Sequence, residues 1–166
     1  MKYFEHESAA TFDEAVSLLK ESPKGKTVVM AGGSDLIGVL KEQILEDYPE
    51  KVVDLKTVRG GEYIKQDGDT IEIGALTKLC DIVKSDLLNE KAPVLSQAAR
   101  SVATPLIRNV ATMGGNICQD VRCWFYRYPH GIGGRMDCMR KGGKSAMPFM
   151  GVPTVIIPIF GGHEGT

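Results

Sequence analysis

Thr27-Val28-Val29-Met30-Ala31-Gly32-Gly33-Ser34-Asp35-Leu36-Ile37 is the stretch that decides the fold. A short apolar run with two valines predicts a buried strand. The glycine pair then turns the chain, and Ser34 or Asp35 starts a helix carrying Leu36, Ile37 and Leu40. A second segment, Arg108-Asn109-Val110-Ala111-Thr112-Met113-Gly114-Gly115-Asn116-Ile117, contains another glycine pair beside small polar residues. Glycine removes the Cβ that holds a ligand away from the backbone. It also reaches positive φ, which points successive N–H groups the same way. Two such turns in one chain predict a nucleotide whose diphosphate lies between them, with a helix N-terminus behind the first. Neither turn has the Gly-Lys-Ser/Thr of a P-loop or the G-x-G-x-x-G spacing of a dinucleotide fingerprint.

Outward from these turns the chain divides in two. Thr11-Phe12-Asp13-Glu14 is a capping box opening a helix with Ala15, Leu18 and Leu19 on its apolar face, and Val52-Val53-Asp54-Leu55 reads as a strand. Residues 1–55 therefore read as a small lobe of alternating strands and helices. After Arg59-Gly60-Gly61 the pattern changes. Tyr63-Ile64-Lys65 and Thr70-Ile71-Glu72-Ile73 flank Asp67-Gly68, a hairpin signal. Thr77 follows the Gly74-Ala75 turn as the expected N-cap of a helix with Leu79, Ile82 and Val83 inward and Cys80 in the core. Pro93 suits the first turn of a further helix carrying Val94, Leu95, Ala98 and Val102. Residues 56–166 form the second lobe, with a polar, basic, glycine-rich insertion at 118–151 and a strand-like run at Val155 to Phe160.

Bulk properties narrow the partners. A formal net charge of −1 supplies no general field for nucleic acid. No apolar run approaches the roughly 20 residues of a membrane span. The N-terminus, with Glu5 and Glu7, is not a signal peptide, which leads us to expect a cytoplasmic location. His6, His130 and His163 have no convincing nucleophile partner, so no catalytic triad is expected. Cys118, Cys123 and Cys138 form a loose group in the insertion; structural cysteines, an iron–sulfur site and a zinc site completed by a histidine all suit that spacing. Arg108 suits a phosphate counter-charge and a salt bridge equally well.

Met30 to Ile37 and Ile107 to Ile117, separated by about 80 residues with Gly74-Ala75 between them, resemble the two signature segments of the FAD-binding subunit of molybdenum hydroxylases. This is the family of xanthine dehydrogenase, carbon monoxide dehydrogenase and bacterial aldehyde oxidoreductases. The resemblance implies an α+β, two-lobed FAD-binding fold, with a small N-terminal α/β lobe, a larger mixed-sheet lobe, and FAD between them. It implies that Ala31, Gly32, Gly33, Ser34, Asp35 and Leu36 cradle the pyrophosphate from the first lobe. Thr112, Gly114, Gly115, Asn116 and Ile117 do so from the second, with Gly74 and Ala75 near the cofactor and Asp35 tying the turn as a helix cap.

The implied role is electron transfer: from a molybdenum-cofactor subunit through [2Fe–2S] clusters in another subunit to FAD, and on to NAD⁺ or another acceptor. No residue of this chain is then required as acid, base or nucleophile. Some members carry a [4Fe–4S] cluster in an insertion at this place, with Cys118, Cys123 and Cys138 as the corresponding metal ligands. Here Lys144-Ser145-Ala146-Met147 stands where a further cysteine belongs. The chain also reads as short or split, without the usual C-terminal domain and with a separate polypeptide to complete it. A scaffold that has lost tight flavin binding and a small zinc-binding interaction module are the alternative functions.

Overall fold

The computed structural model describes residues 1–45 and 48–119. In the first lobe, β1 (Glu5–Ser8), β2 (Thr27–Met30) and β3 (Lys51–Asp54) form a parallel sheet in the order β1-β3-β2. Both neighbours keep the same register on the central strand: Glu5 and Thr27 lie opposite Lys51, and Ser8 and Met30 opposite Asp54. Parallel strands need crossovers, supplied by α1 (Phe12–Glu21) and α2 (Leu36–Lys41). Successive side chains of a strand point to opposite faces, so β3 feeds two cores at once. Val53 packs with Ala9, Ala15 and Val58 on the α1 side, and Val52 with Met30, Leu40 and Tyr48 on the α2 side.

α1 begins as its capping box predicts, with the Glu14 N–H donating to Thr11 Oγ1 at 3.1 Å. The reciprocal bond closes one residue upstream, from the Ala10 N–H to the Glu14 carboxylate at 2.7 Å. Its buried face is narrower than expected: Ala15 is buried and Leu18 half-buried, but Leu19 is exposed.

The second lobe starts with the predicted hairpin, β4 (Ile64–Asp67) and β5 (Thr70–Ile73), paired antiparallel. Gly68, at φ +56°, takes the first position of its two-residue turn. Among the described residues five short helices follow: α3 (Leu79–Lys84), α4 (Asp86–Lys91), α5 (Pro93–Ser101), α6 (Pro105–Arg108) and α7 (Met113–Ile117). Their core is Leu79, Ile82, Leu88, Ala99 and Ala111, roofed by Ile64, Ile71 and Ile73 of the hairpin. The fold is α+β and two-lobed. Leu76 ties the lobes together: its N–H donates to the Gly61 carbonyl at 2.8 Å, and its side chain completes the core around Val53.

Three local expectations change. Thr77 does not cap α3, whose N-cap is Lys78. The Thr77 hydroxyl instead accepts from the Tyr63 N–H at 3.0 Å and lies 2.9 Å from the Tyr63 carbonyl, to which it donates. Pro93 does open α5, but Val94 and Ala98 are exposed while Leu95, Ser96 and Ala99 face inward. Both sets fit helical spacing. Packing of α5 on α3 and α4 selects the second, with Ser96 Oγ satisfied by Asn89 Oδ1. Cys80, expected in the core, is only partly buried, because Leu79 and Ile82 take the inward face of α3. The strand-like run at 155–160 lies outside the described residues, as does most of the 118–151 insertion.

Candidate functional site

A cleft of about 480 Å³ opens between the lobes at the C-terminal end of β2. Carboxyl ends of strands in open α/β sheets are a recurrent ligand position. Ala31 to Leu36 line it from the first lobe; Ala75, Thr112, Gly114, Gly115 and Asn116 line it from the second. The two sequence segments that read as phosphate turns are therefore brought to one cavity. Gly74 and Ile117 are not among its lining residues. Gly74 is buried beside it, where its N–H donates to the Tyr63 carbonyl at 2.8 Å and a Cβ would strike the Gly61 carbonyl.

The first turn has the conformation the sequence predicts. Gly33 lies at φ +73°, and its carbonyl accepts from the Ile37 N–H at 3.0 Å to start α2. Among the described residues, the N–H groups of Ala31, Gly32, Gly33 and Ser34 find no acceptor. Asp35, expected to tie the turn as a cap, has helical backbone angles and makes no side-chain capping bond.

The second turn differs from expectation. Its glycines sit in the one-turn helix α7 and neither has positive φ. Its N–H groups are already engaged. Met113 donates to the Thr77 carbonyl at 2.8 Å, Gly114 to the Ala75 carbonyl at 2.8 Å, and Asn116 to the Thr112 carbonyl at 2.9 Å. Gly115 donates to Thr112 Oγ1 at 3.2 Å. This side thus offers a close-packed wall and the Asn116 amide rather than a row of bare N–H groups.

Two glycines are explained by close approach instead of by φ. A Cβ on Gly32 would run into the Val110 carbonyl of the second lobe. One on Gly114 would sit 2.9 Å from the Ala75 carbonyl oxygen and 3.0 Å from the Ala75 Cβ. The first and second signature segments thus touch each other at Gly32 and Val110.

Sequence reasoning missed the apolar walls: Phe12, Met30, Val39, Leu55, Val102 and Ile107 also line the cleft. Ordinary core residues carry no signal that they face a cavity. The walls contain no lysine or arginine among the described residues, and Asp35 is the lining carboxylate. Arg108 is neither a counter-charge in the cleft nor part of a described salt bridge. Its Nη1 donates to the carbonyls of Val102 and Ala103, at 2.7 and 3.2 Å.

Of the candidate metal ligands, Cys118 is exposed and lines the cleft beside Asn116; Cys123 and Cys138 lie outside the described residues. No group of three or more His, Cys, Asp or Glu is placed to hold a metal ion among the described residues. Desolvation pushes the Cys80 thiol pKa up, aided by the Asp81 carboxylate, which Sγ approaches at 3.5 Å. Since the thiolate is the nucleophile, iodoacetamide at neutral pH should alkylate Cys118 before Cys80. The Cys80 rate should climb only as pH passes above the ordinary thiol range. Peptide mass mapping of the full chain measures both, and equal labelling of the two at neutral pH would contradict this assignment.

Residues 2–123 match the family described as the FAD binding domain in molybdopterin dehydrogenase. The chain belongs to that family. It is 34% identical over 117 residues to the nicotinate dehydrogenase FAD-subunit of Eubacterium barkeri, covering 70% of this chain and 39% of that protein. With the xanthine dehydrogenase FAD-binding subunit of Escherichia coli O157:H7 it shares 36% identity over 112 residues, 66% of this chain and 37% of the relative. Among solved structures, carbon monoxide dehydrogenase from Hydrogenophaga pseudoflava superposes with a TM-score of 0.66 at 31% identity, covering 70% of this chain and 39% of that one. The chain thus spans about two fifths of the length of these relatives. No helix among the described residues is long and apolar enough to cross a membrane.

Proposed function

We propose that this chain holds FAD in the cleft between its lobes, as the flavin-binding part of the electron-transfer subunit of a multisubunit molybdenum hydroxylase. The observation that carries the reading is the run of N–H groups from Ala31 to Ser34, unbonded among the described residues and lining the same cleft as Thr112 to Asn116. Oriented neutral dipoles suit a diphosphate, since they hold charged oxygens without a mobile side chain. Gly33 supplies the positive φ of the turn, and Gly32 lets the Val110 carbonyl pack against its backbone, so the turn that carries these N–H groups is held in place by its neighbours. Ser34 and Asn116 offer a hydroxyl and an amide, and the apolar walls from Met30 to Ile107 cover a flat ring system and exclude water. On this reading residues 1–55 form the first FAD lobe and 56–166 the second.

When bound, the flavin supplies the redox chemistry, linking one-electron delivery to two-electron output. The chain's own residues bind, orient and shield it. Partners of this assembly are a molybdenum-cofactor subunit and a [2Fe–2S] subunit, with NAD⁺ or another compound as the final acceptor. The substrate pocket then belongs to the molybdenum subunit.

Purification of the chain in its native assembly should yield visible flavin absorption at one FAD per chain. Flavin-stripped protein should recover that spectrum on FAD addition, with bound FAD slowing alkylation of Cys118 and leaving Cys80 unaffected. An assembly with no flavin that takes none up would overturn the proposal.

A further inference from the structure

We infer that Arg108 is a positioning residue that holds the Val102–Ile107 wall of the cleft in its ligand-accepting shape. This rests on the reading of the cleft as the flavin site. Ala103 lies at φ +43°, in the left-handed region where a residue with a Cβ is strained. Such a conformation persists only where its surroundings impose it. Here they are visible: the Arg108 guanidinium donates from Nη1 to the carbonyls of Val102 and Ala103, one on each side of the Ala103 Cα, at 2.7 and 3.2 Å. The same segment is closed by Thr104, which accepts from the Ile107 N–H at 3.4 Å through Oγ1 and from the Arg108 N–H at 3.0 Å through its carbonyl. α6 is thereby folded back so that its final side chain reaches the loop that precedes it.

The position of this clasp gives it a consequence for binding. Val102, Ala103 and Ile107 all line the cleft, and Ala111, whose N–H donates to the Ile107 carbonyl at 2.8 Å, continues the wall toward Thr112. Two residues beyond Arg108, the Val110 carbonyl makes the close approach to Gly32. Releasing the guanidinium lets Ala103 relax toward negative φ, which swings Val102 and Ile107 relative to the first-lobe turn. Arg108 acts through the loop, without touching the ligand.

The full chain is compared as wild type, Arg108→Met, Ala103→Gly and the double variant, by FAD titration and by amide hydrogen exchange of the flavin-free protein. Loss of the charge-assisted bonds should weaken FAD binding about tenfold or more in Arg108→Met and speed exchange of the Val110 and Ala111 amides. Glycine adopts φ +43° without strain, so Ala103→Gly should restore most of the affinity in the double variant. Unchanged exchange in Arg108→Met would overturn the inference. So would an affinity loss that Ala103→Gly does not recover, the result expected of an arginine that contacts phosphate directly. Wild-type chain that binds no FAD would sink the flavin reading alone, while the exchange comparison still decides whether Arg108 shapes the loop.

Discussion

Gly32→Ala is expected to weaken FAD binding by roughly thirty- to hundredfold, about 2–3 kcal/mol. The added methyl group would overlap the Val110 carbonyl, and both sides of that contact are backbone. No side chain can rotate away, so one lobe must shift against the other and open the cleft between Ala31–Ser34 and Thr112–Asn116. A control separates this from a general effect of alanine. Gly38, in α2, has open space where its Cβ would be, and Gly38→Ala should keep FAD affinity while raising stability by up to about 1 kcal/mol. Isothermal titration and thermal melts of the two variants provide the comparison. Affinity in Gly32→Ala equal to that of Gly38→Ala would mean that the lobe contact does not control the cleft.

Gly114→Val should lower flavin retention by about tenfold or more and also reduce thermal stability, because the clash is with protein before it is with ligand. In the structure the Gly114 N–H donates to the Ala75 carbonyl, and a Cβ would stand 2.9 Å from that same oxygen. A β-branched side chain must therefore push α7 off the Ala75–Leu76 segment, which lines the cleft and carries the lobe-joining Leu76. Overpacking of this kind costs about 1–3 kcal/mol. Retention of flavin through gel filtration and the melting temperature should fall together. A variant that melts like wild type yet loses FAD would place the ligand, rather than Ala75, against Gly114.

What the sequence determined by itself is the set of features that act within a few residues. β2 ends where the β-branched run meets Gly32-Gly33, Thr11 caps α1, the Asp67-Gly68 signal marks a hairpin whose two-residue turn is Gly68-Asp69, and Pro93 opens α5. Each follows from local backbone preferences, which no distant contact was needed to specify. The resemblance carried by the two glycine segments also located the cleft, because both line it. Tertiary structure alone decided the rest. Helical spacing in α5 admits both Val94/Ala98 and Leu95/Ala99, and only packing against α3 and α4 chose between them. Gly32 and Gly114 look like conformational glycines, yet their need for a bare Cα comes from carbonyls 78 and 39 residues away, at Val110 and Ala75. Arg108 looks like a phosphate partner but spends its hydrogen bonds on a strained turn at Ala103. A side chain's chemistry is written in the sequence; which group it meets depends on how the lobes close.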